Sequence, residues 1–413
     1  MLPILAHGAG LTGLPLPRWL LAYLLAFLVL LTVLTLRATS PRARWRPGTK
    51  PSTTLDDRTP LRLIGSTIGL ALLVVTFLAG ALSRDDAGLF AYCAVVVAFW
   101  LGGQAVAAVV GDWYSYLNPF VVLTQPIPDR EREAPVWTAP ALLFSFIWFW
   151  LVFGERAPRN RETATFLALY AVAVLLCSAV WGRSWVRRGE GFAAIFSLLG
   201  ELSPRRGVPL RGLVERATVP GATALLSVYV GGVAFDGLSA TSWWIDVMGT
   251  RTGWSLRGIN TIGLLWTTTI VAVALLAAAR AITRLTNTPV TGLADRLAMT
   301  LIPLALGCWV AHELPTFLID IQNFISLASD PFSQGRDIFG TIDWLPNYTL
   351  LTPLQEGWVE TLALAAGAMG TALLSHEVTF GTFPPRVAVR AVWPATVAAM
   401  AGVVGATLLL LGT

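Results

Sequence analysis

The sequence predicts an all-α fold, a polytopic bundle of about ten transmembrane helices that forms a single integral membrane domain over residues 1–413. Of the 413 residues, 55% are hydrophobic and only 13% are charged, whereas soluble domains carry about a quarter charged residues. The mean hydropathy is +0.66. Apolar runs recur along the whole chain and are separated by short connectors that hold most of the arginines.

Each predicted span is an apolar run near the roughly 20 residues that a transmembrane helix needs. The fourth run is short and aromatic, which leaves its assignment as a span open. The runs are 19–36, 61–82, 88–110, 138–154, 162–181, 217–236, 259–282, 297–315, 354–375 and 390–411.

The distribution of positive charge predicts the orientation. With the N-terminus outside, 21 of the 29 Lys and Arg residues fall in inside segments and eight fall outside. Because positively charged short loops are retained in the cytoplasm, ten spans place both termini outside the bacterial cytoplasmic membrane. Residues 156–161 would change sides if the fourth run were not a span. Lys50 is the single lysine, and this arginine bias fits a GC-rich bacterial genome.

The composition also limits which classes of binding partner we expect. The net charge is +5, but the basic residues are spread through connectors instead of gathered on one domain, so we expect the lipid bilayer as partner and no nucleic acid. Other membrane subunits stay open as partners. Cys93, Cys177 and Cys308 all fall in predicted spans, where we expect no disulfide. Residues 1–10 lack the features of a cleavable signal peptide.

Three connectors carry structural expectations. Segment 112–136 is apolar enough to re-enter the bilayer region, which requires protein or water around its irregular backbone. Segment 185–202 alternates aromatic and basic residues and predicts an amphipathic helix on the inner surface, with a simple connector helix as the alternative. Segment 316–352 predicts an outer loop or a half-buried helix.

The eighth run contains the most informative polar stretch. His312 lies about 24 Å along the helix from Arg296 and therefore near the outer boundary. Glu313 follows it, and Pro315 removes one backbone hydrogen bond and predicts a kink. Asp320 could face inward beyond that kink. Titratable groups inside spans are costly and are functional candidates by default, so His312, Glu313 and Asp320 are the candidate catalytic residues.

Further groups are predicted at a similar depth. Asp236 ends the sixth run, Glu360 shares a helix face with Glu356, and His7 lies in the N-terminal tail. Imidazole with several carboxylates suits a divalent cation, or a general base with an electrostatic partner. A helix cap or a solvated position is the alternative for each residue alone. His376, with Glu377, is predicted at the opposite, inner face.

A further set of short stretches is spread over nearly the whole chain, although no stretch in it belongs to a recognised catalytic class. The stretches are His7-Gly8, residues 14–19, Gly111-Asp112 with Leu117-Asn118-Pro119, residues 235–239 with Ser242-Trp243-Trp244, Ala311-His312, Ser329-Asp330-Pro331, residues 337–341 with Asp343-Trp344, Tyr348-Thr349 and Ser375-His376. Together they resemble a family of bacterial, largely actinobacterial, membrane proteins known as fenitrothion hydrolases.

The resemblance implies hydrolysis of organophosphorothioate-type esters at an outward-facing site assisted by a divalent metal ion, with a small aromatic or organophosphorus substrate. It implies that His312 and His7 are metal ligands and that Glu313 or Asp320 is a ligand or the base. The predicted depth of Asp236 and Glu360 adds these two residues as metal ligands. Family members often carry a second histidine in the ninth run, where this chain has residues 366–368, Ala-Gly-Ala. Two other functions stay open: a transporter or channel, and an accessory subunit of a respiratory or metal-handling complex.

Overall fold

The computed structural model describes residues 16–48, 59–84, 89–130, 135–155 and 157–410. Over these residues the chain is helical and contains no strand, which confirms the all-α prediction. The helices follow the predicted apolar runs because a backbone in lipid must satisfy its own hydrogen bonds.

Eleven helices carry the fold, and they are numbered in chain order. They are α1 (Arg18–Thr39), α2 (Pro60–Leu82), α3 (Phe90–Val110), α4 (Thr138–Phe153), α5 (Asn160–Trp181), α6 (Gly191–Leu199), α7 (Ala222–Ser239), α8 (Gly253–Thr286), α9 (Ile302–Leu327), α10 (Pro353–Thr382) and α11 (Pro385–Leu410).

Nine apolar helical segments in the described part of the chain are long enough to cross a membrane. The helix Leu293–Met299 and α9 together form one of these segments. The predicted fourth span, 138–154, is not among these nine segments. Helix α4 is shorter than the candidate spans and ends in a π-helical turn, Phe149–Phe153, before Gly154. Its apolar side chains pack on other aromatic rings, as in the stack of Phe149 on Phe166 with centroids 4.3 Å apart. The orientation of the termini stays a prediction.

The chain divides into two compact units, each built from segments distant in sequence. Unit 1 comprises Met1–Thr53, Gly207–Pro315 and Leu351–Thr413, and unit 2 comprises Thr54–Arg206 and Thr316–Leu350. The single membrane domain over 1–413 stays a prediction.

In unit 1, α9 and α10 pack backbone to backbone through glycines. A Cβ atom on Gly307 would lie 2.5 Å from the carbonyl oxygen of Ala363, and one on Gly367 would lie 2.7 Å from that of Pro303. Such contacts require glycine, because real Cβ atoms do not approach an oxygen so closely. The pairs run in opposite directions along the two helices, so α9 and α10 are antiparallel here.

In unit 2, the irregular backbone of the connector after α3 is hydrogen-bonded by other protein groups. It forms the short helices Tyr114–Leu117 and Pro119–Leu123. The Ser66 hydroxyl of α2 donates to the carbonyl oxygen of Asn118 at 2.6 Å, and it accepts from the backbone N–H of Val122 at 2.9 Å. Protein groups therefore satisfy this backbone.

Helix α6 lies in the core of unit 2. Its residues Phe192, Ile195 and Phe196 are buried, and the ring of Phe192 packs edge-on against Phe99 with centroids 4.9 Å apart. The predicted amphipathic segment 185–202 thus contributes its apolar side to the protein core. Its contact with the inner membrane surface stays a prediction.

The predicted outer segment 316–352 begins as a helix, since α9 continues without interruption to Leu327. A polar network orders the loop that follows. The Ser329 and Thr341 hydroxyl oxygens lie 2.8 Å apart, and the Asp337 carboxylate accepts from the backbone N–H of Thr341 at 3.0 Å. Within unit 2 the segment therefore combines a half-buried helix with a structured loop.

Candidate functional site

One histidine and two acidic side chains converge in unit 1. Asp236 lies in the last turn of α7, and His312 and Glu313 lie in α9. One ligand atom from each of the three lies within 4.8 Å of the others. His312 Nε2 is 3.2 Å from Asp236 Oδ2. The residues are 76 positions apart in sequence, so only the fold brings them together.

The cluster is largely shielded from solvent. The side chain of Asp236 is 4% exposed and that of His312 is 12% exposed, while Glu313 is 7% exposed. Trp309 and Ala311 on the same helix are buried. Charge–charge interactions at this site are therefore stronger than in water, because the surroundings are weakly polarisable.

Glu360 of α10 joins the electrostatic environment of this cluster, since its carboxylate interacts with His312. The antiparallel packing accounts for its position: Gly307 lies opposite Ala363, so Glu360 comes level with the part of α9 that holds His312. Glu360 Oε2 is shielded from solvent and accepts no hydrogen bond within the described ranges. A buried carboxylate oxygen without a donor is costly unless a cation or a proton compensates it.

Pro315 lies inside α9 without ending it. Proline cannot donate to the carbonyl oxygen of Ala311, and the kink expected there stays a prediction. The helix continues for twelve more residues, to Leu327. The boundary between the two units also falls directly after Pro315.

The two remaining predicted site residues are His7 and Asp320. His7 lies outside the described residues. Asp320 belongs to unit 2, where Asn323 Nδ2 donates to its carboxylate at 3.3 Å. The roles predicted for both residues stay predictions.

A second histidine–carboxylate pair lies near the other end of α10. His376 and Glu377 are 0% exposed, and His376 Nδ1 is 3.5 Å from Glu377 Oε1. Glu377 Oε2 accepts from the backbone N–H groups of Arg44 at 2.7 Å and Trp45 at 3.2 Å. Sixteen residues separate His376 from Glu360, or about 24 Å of helix, consistent with the prediction of two distinct places.

Unit 2 contains a buried carboxyl group that the sequence did not single out. Glu190 is fully buried and caps α6, since its carboxylate accepts from the backbone N–H groups of Phe192 and Ala193. The Tyr170 hydroxyl also donates to it. Burial raises the pKa of Glu190 to about 7, although these donors favour the charged form. The signal available in the sequence was an acidic residue directly before an apolar helical run.

No family model, no curated protein and no solved structure matches the chain.

Proposed function

We propose that this membrane protein hydrolyses uncharged organophosphorothioate-type esters at a site made of Asp236, His312, Glu313 and Glu360 that holds a divalent cation. The observation that supports this most is the convergence of three potential ligand atoms within 4.8 Å in a shielded part of unit 1.

The residues fit a divalent cation in kind and in spacing. One imidazole with carboxylates suits zinc or a harder divalent ion. With metal–ligand bonds of about 2.1 Å, two ligand atoms on a tetrahedral ion lie roughly 3.4 Å apart, and His312 Nε2 lies 3.2 Å from Asp236 Oδ2. The Glu360 oxygen without a donor adds negative charge that a cation would compensate.

Each residue has a role in this proposal. Asp236, His312 and Glu313 would hold the cation, which when bound would polarise the phosphorus centre and lower the pKa of water. Glu360 accepts a proton from the attacking water, whose oxygen forms the new bond to phosphorus. The bond from phosphorus to the aryloxy oxygen breaks, and the phenolate leaves with the electron pair.

The charge of the site favours a neutral substrate. Three carboxyl groups accompany one histidine, so phosphate monoesters and diesters, which are anionic, would be repelled. A triester carries no charge and partitions into lipid. Exposed Trp243 offers a surface for an aryl group: its ring lies 5.7 Å from that of buried Trp244, which packs on Phe235 beside Asp236.

Metal analysis and hydrolysis by the same purified samples test the proposal. The wild-type protein should bind about one divalent ion per chain and release the nitrophenol from fenitrothion. His312→Ala and Asp236→Asn should lose both properties. Asp246→Asn is the matched control, because this carboxylate is exposed on the short helix Ser242–Met248, and it should keep both.

Unchanged nitrophenol release by His312→Ala would overturn the assignment. Retained cation content with no hydrolysis in the wild type would overturn the reaction but leave the cation site. A panel that exchanges fenitrothion for a diester of the same phenol tests the preference for neutral substrates, with slower release expected from the diester.

A second candidate is a transporter, favoured by one observation. Helix α10 carries titratable groups at two depths, Glu360 and the buried pair His376 and Glu377. A transporter predicts substrate-dependent uptake into proteoliposomes that Glu360→Gln and Glu377→Gln both abolish. Absence of uptake for every substrate in a broad panel would rule this candidate out, and uptake that both variants retain would remove Glu360 and Glu377 from the transport path.

A further inference from the structure

An open groove lies at the end of α8 in unit 1. Its volume is about 580 Å³, and it is lined by α8, by the start of α7 and by the segment leading into the helix Leu293–Met299. The lining includes the apolar residues Leu276, Ala279 and Leu293 and the two basic residues Arg280 and Arg284. The α8 residues share one helix face because they are spaced by three and four positions.

The two arginines make this groove positively charged. Both side chains are exposed, and neither makes a hydrogen bond or an ion pair with any residue that the structure describes. The acidic residue of the groove, Asp295, is already engaged. Its carboxylate accepts from the backbone N–H of Thr223 at 2.8 Å and from the Thr223 hydroxyl at 2.6 Å.

The position along α8 places these charges at the level of lipid headgroups. Arg257 and Arg280 are separated by 23 residues, which is about 35 Å of helix and close to the thickness of the hydrocarbon core. The intervening stretch is apolar. Arg284 lies one turn beyond Arg280, while Leu276 lies one turn deeper, at the level of the acyl chains.

We propose that this groove is a binding site for an anionic phospholipid, with the phosphate between Arg280 and Arg284 and one acyl chain along Leu276 and Ala279. Paired guanidinium groups suit phosphate oxygens. Basic pockets between transmembrane helices are a recurring place for acidic headgroups. A soluble phosphate ion would contact the arginines but not Leu276 or Ala279, whereas a phospholipid can contact both the basic and the apolar residues of the groove.

Lipid titration of the purified full chain in detergent tests this site independently of hydrolysis. Phosphatidylglycerol should raise the unfolding temperature and stay bound in native mass spectrometry. Phosphatidylcholine with the same acyl chains and inorganic phosphate should do neither. Each basic residue contributes about fivefold to affinity for acidic lipid, so Arg280→Gln with Arg284→Gln should weaken phosphatidylglycerol binding about 25-fold.

Two further variants make the result decisive. Arg280→Lys with Arg284→Lys keeps the charge and should retain most of the binding, which also reports that the protein folds. Arg251→Gln removes an arginine before the other end of α8, where its guanidinium donates to the carbonyl oxygens of Val247 and Met248, and it should not change the titration. Equal binding by the glutamine double variant and the wild type, or an equal response to phosphatidylcholine, would overturn the proposal. A response to inorganic phosphate alone would replace the lipid with a soluble anion.

Discussion

The two histidine–carboxylate pairs of unit 1 differ in the solvent exposure of the imidazole and in the number of carboxylates around it. At His312 the imidazole is partly exposed, Asp236 lies 3.2 Å away, and Glu313 contributes a further ligand atom. At His376 the ring is fully enclosed, stacks on Phe380 with centroids 4.3 Å apart, and has one carboxylate beside it.

The partners of the carboxylates separate the pairs further. Glu377 is held by two backbone N–H groups from the segment after α1, which is what a structural tether requires. Glu360, near His312, and Glu377 each have one carboxylate oxygen without a donor in the described parts of the chain. A histidine beside a carboxylate is thus an ambiguous sign, and the partial exposure of the imidazole together with the number of converging ligand atoms distinguishes the candidate site from the tether.

The largest expected effect is on the hydrolytic rate. Glu360→Gln should lower the rate constant of nitrophenol release by about 10²–10⁴-fold, the usual contribution of a general base, while the cation content stays near that of the wild type. Glu356→Gln, one turn earlier on α10, is the control and should change the rate little. Equal rates in Glu360→Gln and the wild type would remove Glu360 from the mechanism.

The next effect is on stability at the other pair. Glu377→Ala leaves the N–H groups of Arg44 and Trp45 without their acceptor, and hydrogen bonds to charged groups contribute about 1.5–3 kcal/mol each. We expect the free energy of unfolding to fall by roughly 3–6 kcal/mol, measured by denaturant titration in detergent. Cation content should stay unchanged. A loss of the cation in a folded Glu377→Ala protein would erase the distinction between the pairs.

A smaller effect concerns Glu190 of unit 2 and pH. Because its pKa in the folded protein is about 7, above the ordinary 4.5, the folded protein binds more protons than the unfolded chain between these values. Stability should therefore fall as pH rises from about 4.5 to 7, by up to about 3 kcal/mol. Glu190→Gln should flatten that dependence in unfolding curves recorded across this range. An unchanged slope would mean that Glu190 ionises without penalty.

The smallest effect is expected from His376→Phe. Neither ring nitrogen of His376 makes a hydrogen bond with the described residues, and the ring already stacks on Phe380. A phenyl ring of similar shape should change the free energy of unfolding by less than about 1.5 kcal/mol. His312→Phe, in contrast, should lose the cation. A strongly destabilised His376→Phe protein would show that the imidazole nitrogens are needed.

The sequence was sufficient for the fold class and for part of the site. Apolar runs predict helices directly, because lipid leaves the backbone few alternatives. His312, Glu313 and Asp236 could be chosen because polar groups in spans are rare. Their mutual distances could not be predicted, because the convergence of α7 and α9 depends on packing that no local pattern encodes.

Other features needed the structure for specific reasons. The fourth run has the hydropathy of a span, but α4 is shorter than the other candidate spans and packs on aromatic rings. Hydropathy reports neither the packing partners of a helix nor its depth in the membrane. The acceptor role of Glu377 involves Arg44 and Trp45, which lie more than 330 positions away. Glu190 stands before an apolar helix like many capping residues, and only its enclosure makes it unusual.

The contact between Glu377 and the segment after α1 also has a consequence for the order of assembly. Arg44 leaves the ribosome before its acceptor, which follows 333 residues later. At roughly 5–20 residues per second, the segment waits about 17 to 67 seconds for its partner during synthesis. This connector must therefore remain without that anchor until α10 has been synthesised, so contacts between residues closer in sequence can form first.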